Sequence, residues 1–220
     1  MSLLTGPLMR RLRPGVAATL GAAPEYRRYW EESNERARQS SGPLWVALGD
    51  STAQGLGASA PDCGYVGQLL VRLREAQRRP WRVVNLSVTG ARISDVVREQ
   101  VARLSEASEP ELVTCAVGAN DVIRPGFGRV PGALHSLIRA LPSGAVLATV
   151  PQGLLPRRVY ELNQIIRAAA PAAGLRIADA WAHTGAPWQG KYAPDGFHPN
   201  DAGYADWCAA FADVLGLDRS

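Results

Sequence analysis

The run Leu44-Trp45-Val46-Ala47-Leu48-Gly49-Asp50-Ser51-Thr52-Ala53 opens with unbroken apolar residues and closes on a glycine, an acid and two hydroxyls. A short apolar run of this kind fits a strand buried on both faces, as in a parallel sheet. Working outward from it, further strand-like runs lie at 82–88, 112–117, 145–150 and, more weakly, 175–178. Helical patterns separate them at 65–77, 93–104, 130–141 and 157–170, and a last one covers 202–215. In that last segment Tyr204, Trp207, Cys208, Phe211, Val214 and Leu215 share one face. Strands alternating with amphipathic helices predict an α/β domain whose central parallel five-stranded sheet is covered on both sides. Ligands of such sheets bind beyond the carboxyl ends of the strands, where strand order reverses.

The strand ends are therefore the place to look for chemistry. Ser51 follows the first strand and precedes a helix, so its hydroxyl can sit at the sheet edge near backbone N–H groups. Alone, Gly-Asp-Ser reads equally as a turn with a helix N-cap. The segment Asp195-Gly196-Phe197-His198-Pro199, just before the last helix, adds the missing partner. A carboxylate three residues upstream in a glycine-containing turn can reach the Nδ1–H of His198, leaving Nε2 to accept a serine proton. Of the other histidines, His135 lies in a helical pattern and His183 in a polar loop, and neither has an acid suited to this role in its segment. The second strand runs into Val88-Thr89-Gly90, where glycine lets a backbone N–H approach a ligand. The third runs into Gly118-Ala119-Asn120-Asp121, which brings a side-chain amide to the same edge. The Ser51 N–H, the Gly90 N–H and the Asn120 amide are candidate donors for an oxyanion. Asp50 and Asp121 are assigned to loop support.

These four blocks, in this order, resemble the SGNH (GDSL-like) hydrolases, whose name letters are matched by Ser51, Gly90, Asn120 and His198. Asp195, three residues before the histidine, matches as well. The resemblance covers about 44–215, and its most specific parts are G-x-N-D and D-x-x-H-P. It implies a three-layer flavodoxin-like fold, hydrolysis of carboxylic esters through an acyl-enzyme, and neither metal nor cofactor. The implied partner is a small-molecule or lipid-like ester. Residues 44–220 are expected to form the hydrolase domain and 1–43 an N-terminal arm and helix. Two other readings stay open: an acyltransferase using the same site with an alcohol or thiol acceptor, and a non-catalytic binding module on the same fold.

Competing motifs fail on context. Gly55-Leu56-Gly57-Ala58-Ser59-Ala60 fits a dinucleotide-binding pattern, yet it does not directly follow its strand and no ribose-binding acid ends strand two. The G-x-S-x-G elbow is absent because Ala53 holds the second glycine position. No histidines or acids are spaced as zinc ligands.

Composition sets the remaining bounds. A 220-residue chain suits one domain. The net charge of +4 is dispersed, without the interleaved basic and aromatic patch of a nucleic-acid binder, so no nucleic acid is expected. Cys63, Cys115 and Cys208 are odd in number and far apart, which argues against a disulfide framework. No apolar run is long enough for a transmembrane segment. Arg10, Arg11 and Arg13 precede a mildly apolar stretch, 15–23, whose strong hydrophobes are Val16 and Leu20. The expectation is a cytoplasmic protein, secreted only if this weak segment serves as a signal. Residues 25–39, with Tyr26, Tyr29 and Trp30 at helical spacing, predict a partly exposed helix. Loops at 124–128 and 153–156 are expected to shape the substrate pocket, with Trp188 and Tyr192 as further candidates for its lining.

Overall fold

The structure, a computed structural model, describes residues 14–106 and 109–217; residues 1–13, with the three arginines of the signal-like segment, lie outside it. Strands β1 (Leu44–Gly49), β2 (Arg82–Asn85), β3 (Leu112–Ala116), β4 (Val146–Ala148) and β5 (Arg176–Ala178) form one sheet. The sheet is entirely parallel, ordered β2-β1-β3-β4-β5. This is the expected five-stranded flavodoxin-like arrangement, and its order reverses between β1 and β3.

The alternation of side chains along β1 builds two core layers. Leu44, Val46 and Leu48 face a layer shared with Leu134 and Leu137 of a helix at Val130–Ala140 and Leu162 and Ile166 of one at Pro156–Ala172. Trp45 and Ala47 face the other layer, with Tyr65 and Leu69 of the helix Tyr65–Gln77 and Tyr204 and Phe211 of the helix Asp201–Leu215. There the Tyr65 and Phe211 rings stack with centroids 5.0 Å apart. Fully buried Trp45 donates its indole N–H to Thr114 Oγ1 at 2.9 Å, so the largest side chain of β1 leaves no polar atom unpaired. In chain order the helices are α1 (Pro14–Gln39), α2 (Ser51–Gln54), α3 (Tyr65–Gln77), α4 (Ile93–Asp95), α5 (Ala119–Ile123), α6 (Val130–Ala140), α7 (Pro156–Ala172), α8 (Ala180–His183) and α9 (Asp201–Leu215).

Two segments differ from the sequence expectation. Helix α1 begins at Pro14 rather than near 25 and runs through Pro24. The added turns are held where Thr19 is buried and Gly15 lies against the Pro194 backbone; beyond them Tyr26, Trp30, Asn34 and Ala37 are buried. The second segment, read as one helix over 93–104, winds as α over Ile93–Asp95, as π over Val96–Gln100 and as 3₁₀ over Val101–Glu106. The π turn delivers buried Gln100 to the end of β1, where its amide accepts from the Gly49 N–H and donates to the Gly49 carbonyl, both at 2.8 Å. Cys115 and Cys208 are buried and Cys63 is half-buried. Burial pushes the Cys115 thiol up, as suits a core residue. Among the described residues no helix is long and apolar enough to cross a membrane.

Candidate active site

Ser51 is the first residue of α2, directly beyond β1. The preceding Asp50 is in extended conformation and caps this one-turn helix, accepting from the Thr52 N–H at 2.9 Å. The carboxyl of Asp50 is enclosed, and burial raises it above the usual carboxylate range against its hydrogen bonds to Thr52 and Asn120. The Ser51 N–H, at the first position of the helix, has no partner among the described residues.

From the other end of the chain, the turn at 193–199 brings His198 over Ser51. The Ser51 Oγ and His198 Nε2 are 3.0 Å apart, and His198 Nδ1 lies 2.6 Å from Asp195 Oδ2. The other Asp195 oxygen accepts from the N–H groups of Phe197 at 2.9 Å and His198 at 3.0 Å. Burial acts to raise Asp195, but the hydrogen bond to His198, its charge and those two N–H groups outweigh it. The carboxyl is thereby held below its ordinary value. The Phe197 ring stands edge-on to the imidazole at 4.9 Å. His135 is exposed on α6, and His183 at the end of α8 bonds the Asp179 carbonyl through Nδ1 at 3.0 Å; neither joins this cluster.

The close approach of the two loops depends on Gly57. Its φ is +102°, and a Cβ there would stand 2.6 Å from the Pro199 carbonyl oxygen and 2.8 Å from the His198 Cβ. Any side chain at 57 would push His198 away from Ser51. The glycines that imitate a dinucleotide motif thus serve the approach of the histidine turn. Asp201 ties the same loops together, accepting from the N–H and hydroxyl of Ser59, both at 2.6 Å.

The proposed oxyanion donors are less uniform. Gly90 has φ +83°, and its N–H has no partner among the described residues. Its carbonyl accepts from Arg124 Nη1 at 3.0 Å. Asn120, in α5 beyond β3, uses its amide within the protein: Nδ2 donates to the Ala91 carbonyl at 3.1 Å and to Asp50 Oδ2 at 3.3 Å. Asp121 accepts from the Ile93 N–H at 3.0 Å and so braces the start of α4.

Burial, offset in part by that hydrogen bond and by Arg92, pushes the Asp121 carboxyl up to about 6. An acid raised on folding favours the folded state in its protonated form, so its contribution to stability falls as pH rises from about 4 to about 6 and stays unfavourable above. Asp121→Asn keeps an oxygen for Ile93 and removes the charge. The variant is expected to lose this component of the pH dependence and to melt about 2–4 °C higher at pH 7.5, for roughly 1 kcal/mol. Thermal melts across pH 4–8 check this; an unchanged slope would count against the raised carboxyl.

A cavity opens over Ser51, Asn120 and His198. Its walls include Leu154, Trp188, Tyr192, Phe197 and Trp207. Trp188 and Tyr192 are 43% and 36% exposed, so aromatic surface faces the entrance. Of the expected loop 153–156, Gly153 and Leu154 line the cavity and Leu155 and Pro156 do not; nor do residues 124–128. Arg124 instead braces Gly90, and Phe127 packs on the core beneath the Arg158 guanidinium at 5.0 Å. Lys191, the sole lysine and absent from the expected site residues, also lines the cavity and pairs with Asp206 at 2.7 Å. A single lysine among many arginines was the available signal. No group of three or more His, Cys, Asp or Glu among the described residues is placed to hold a metal ion.

Residues 47–205 match the GDSL-like Lipase/Acylhydrolase family. Among solved structures, the chain is similar to TesA, at 25% identity and TM-score 0.66, over 79% of this chain and 99% of that one. It is also similar to the lipase/acylhydrolase from Enterococcus faecalis, at 22% identity and TM-score 0.63, over 80% and 95%. A third similar fold is the salicylyl-acyltransferase SsfX3 from a tetracycline biosynthetic pathway, at 20% identity and TM-score 0.55, over 80% of this chain and 55% of that one. No curated protein matches the sequence.

Proposed function

The chain belongs to the GDSL-like lipase/acylhydrolase family, and on that premise we propose that it is a serine esterase acting through Ser51, His198 and Asp195. One observation carries the reading: the unbroken relay Ser51 Oγ–His198 Nε2 at 3.0 Å and His198 Nδ1–Asp195 at 2.6 Å, set at the switch point of the sheet. In this mechanism Ser51 Oγ attacks the ester carbonyl carbon while His198 Nε2 takes the hydroxyl proton. The tetrahedral oxyanion is met by the N–H groups of Ser51 and Gly90 and by the Asn120 amide. His198 returns the proton to the departing alcohol, leaving an acyl-Ser51. Water, deprotonated by His198, then attacks the acyl carbon; the bond to Ser51 Oγ breaks, His198 returns the proton to that oxygen, and the acid is released. Asp195, held ionised, keeps the imidazole in the required tautomer and steadies its positive form.

For Asn120 to take part, one amide N–H must turn from a protein acceptor to the oxyanion. The 3.3 Å contact to Asp50 is the longer of its two bonds and the less costly to exchange. The proposed catalytic domain is 44–220, with α1 as an addition to it. Turnover of p-nitrophenyl acetate tests the function. The expected result is steady release of p-nitrophenol and acetate; no turnover across a panel of acetyl to octanoyl esters would overturn it. The same assay with added alcohol distinguishes hydrolysis from acyl transfer, since transfer yields a new ester instead of free acid.

A further inference from the structure

Helix α2 is a single turn, too short to hold its shape unaided, and its last carbonyls need donors from elsewhere. The Ser51 carbonyl accepts from the Leu56 N–H at 3.0 Å, and that of Thr52 from the Gly55 N–H at 3.1 Å. The other two are met from outside the turn. The Ala53 carbonyl accepts from Asn85 Nδ2 of β2 at 2.7 Å, and the Gln54 carbonyl accepts from the indole N–H of Trp30 in α1 at 2.9 Å. A second residue of α1, Asn34, grips Asn85 itself: its Nδ2 donates to the Asn85 carbonyl at 2.8 Å and its Oδ1 accepts from the Asn85 N–H at 2.7 Å. Gln54 carries the linkage onward, donating through Nε2 to the Ser87 carbonyl at 2.9 Å and accepting from the Thr89 hydroxyl. Trp30, Asn34, Gln54, Asn85 and Ser87 are all buried.

We propose that α1, which precedes the matched family region, is a positioning element of the ester-cleaving site, with Trp30 and Asn34 as its positioning residues. The inference rests on the esterase reading given above. The two backbone donors proposed for the oxyanion, the N–H groups of Ser51 and Gly90, belong to 51–54 and to the loop after β2. Gln54 and Asn85 fasten those segments to each other, and Trp30 and Asn34 fasten both to α1. Neither α1 residue lines the cavity over Ser51. Removing either bond leaves a buried carbonyl or N–H without its partner and lets the donors drift. Donor placement matters most when charge develops on the oxygen, so the loss falls on kcat and spares KM.

The test uses the full chain and Trp30→Phe, which keeps an aromatic ring and removes the N–H. The readouts are kcat and KM for p-nitrophenyl acetate per folded molecule, and the second-order rate of fluorophosphonate labelling of Ser51. The expectation is a drop of about tenfold in kcat and in labelling rate, with KM within about twofold, a fraction of what complete loss of a donor costs. Asn34→Ser, too short to bridge Asn85, gives the same signature and carries the test if Trp30→Phe is poorly recovered. Ile138→Val, in the opposite core layer, serves as a stability control and should lower the melting temperature with kcat unchanged. Wild-type kcat and labelling in folded Trp30→Phe and Asn34→Ser overturn the inference, as does an equal kcat loss in Ile138→Val. If the wild-type chain neither turns over nor labels, the esterase reading itself fails, and this inference with it.

Discussion

Ser51→Ala is expected to fold as the wild type and to lose about 10⁶ in kcat, the scale set when a serine nucleophile is removed from an intact triad. The substitution deletes one oxygen at a position that is 5% exposed, and the backbone of α2 is fixed by bonds that do not involve that hydroxyl. Stability should therefore change little while the chemistry stops. The fluorophosphonate probe reads the same residue independently: it should label Ser51 in the wild type, no other serine, and nothing in the variant. Because the oxyanion donors and the cavity remain, the variant should still bind the ester substrate with ordinary affinity. A Ser51→Ala chain with wild-type turnover would overturn the mechanism.

Asn120→Ala is expected to lower kcat by about 10²–10³ with KM nearly unchanged, the usual cost of deleting one oxyanion donor. The geometry supplies a competing account. Both amide protons of Asn120 go to protein acceptors, the Ala91 carbonyl and Asp50, so a purely structural role would lower the melting temperature and leave kcat per folded molecule intact. Measuring both quantities separates the two. Asn120→Asp should be the more damaging change, because it sets a second carboxylate against the buried acid of Asp50 and presents negative charge to the oxyanion. A folded Asn120→Ala variant with near wild-type kcat would remove Asn120 from the site.

Much of the scaffold was legible because its signals are periodic. The apolar run 44–48 and the one-sided apolar face of α9 each have one physical solution, and β1 and α9 lie where those patterns place them. The three-residue spacing of Asp195 and His198 was legible because a short turn limits where the carboxylate can reach. Legibility failed where a polar residue serves a distant backbone. Gln100 looks like an ordinary helix residue until the π turn aims it at Gly49, fifty-one positions away. Gly57 carries no local sign that another loop must pass within van der Waals distance. The same limit applied to 124–128: a glycine-rich stretch beside Asn120 suggests a pocket rim, yet Arg124 and Phe127 are engaged elsewhere. Helix α1 was read short because Gly15–Ala23 offers few strong hydrophobes, and its docking rests on Tyr26, Trp30 and Asn34 rather than on an apolar stripe.

The grip of Asn34 on Asn85 also bears on how the molecule behaves among copies of itself. β2 is an outermost strand of the sheet, and the outward-facing N–H and carbonyl of Asn85 are both taken by Asn34. Farther along the strand, Arg82 reaches back to the carbonyls of Ala37 and Gly42, which brings the end of α1 and the following turn against the same border. An uncovered outer strand offers its free main-chain groups as a template for another chain. A chain trimmed to begin at residue 44, where the family resemblance begins, would carry such a template along β2 beside the core surface that Trp30 and Ala37 now cover, and both would favour its self-association.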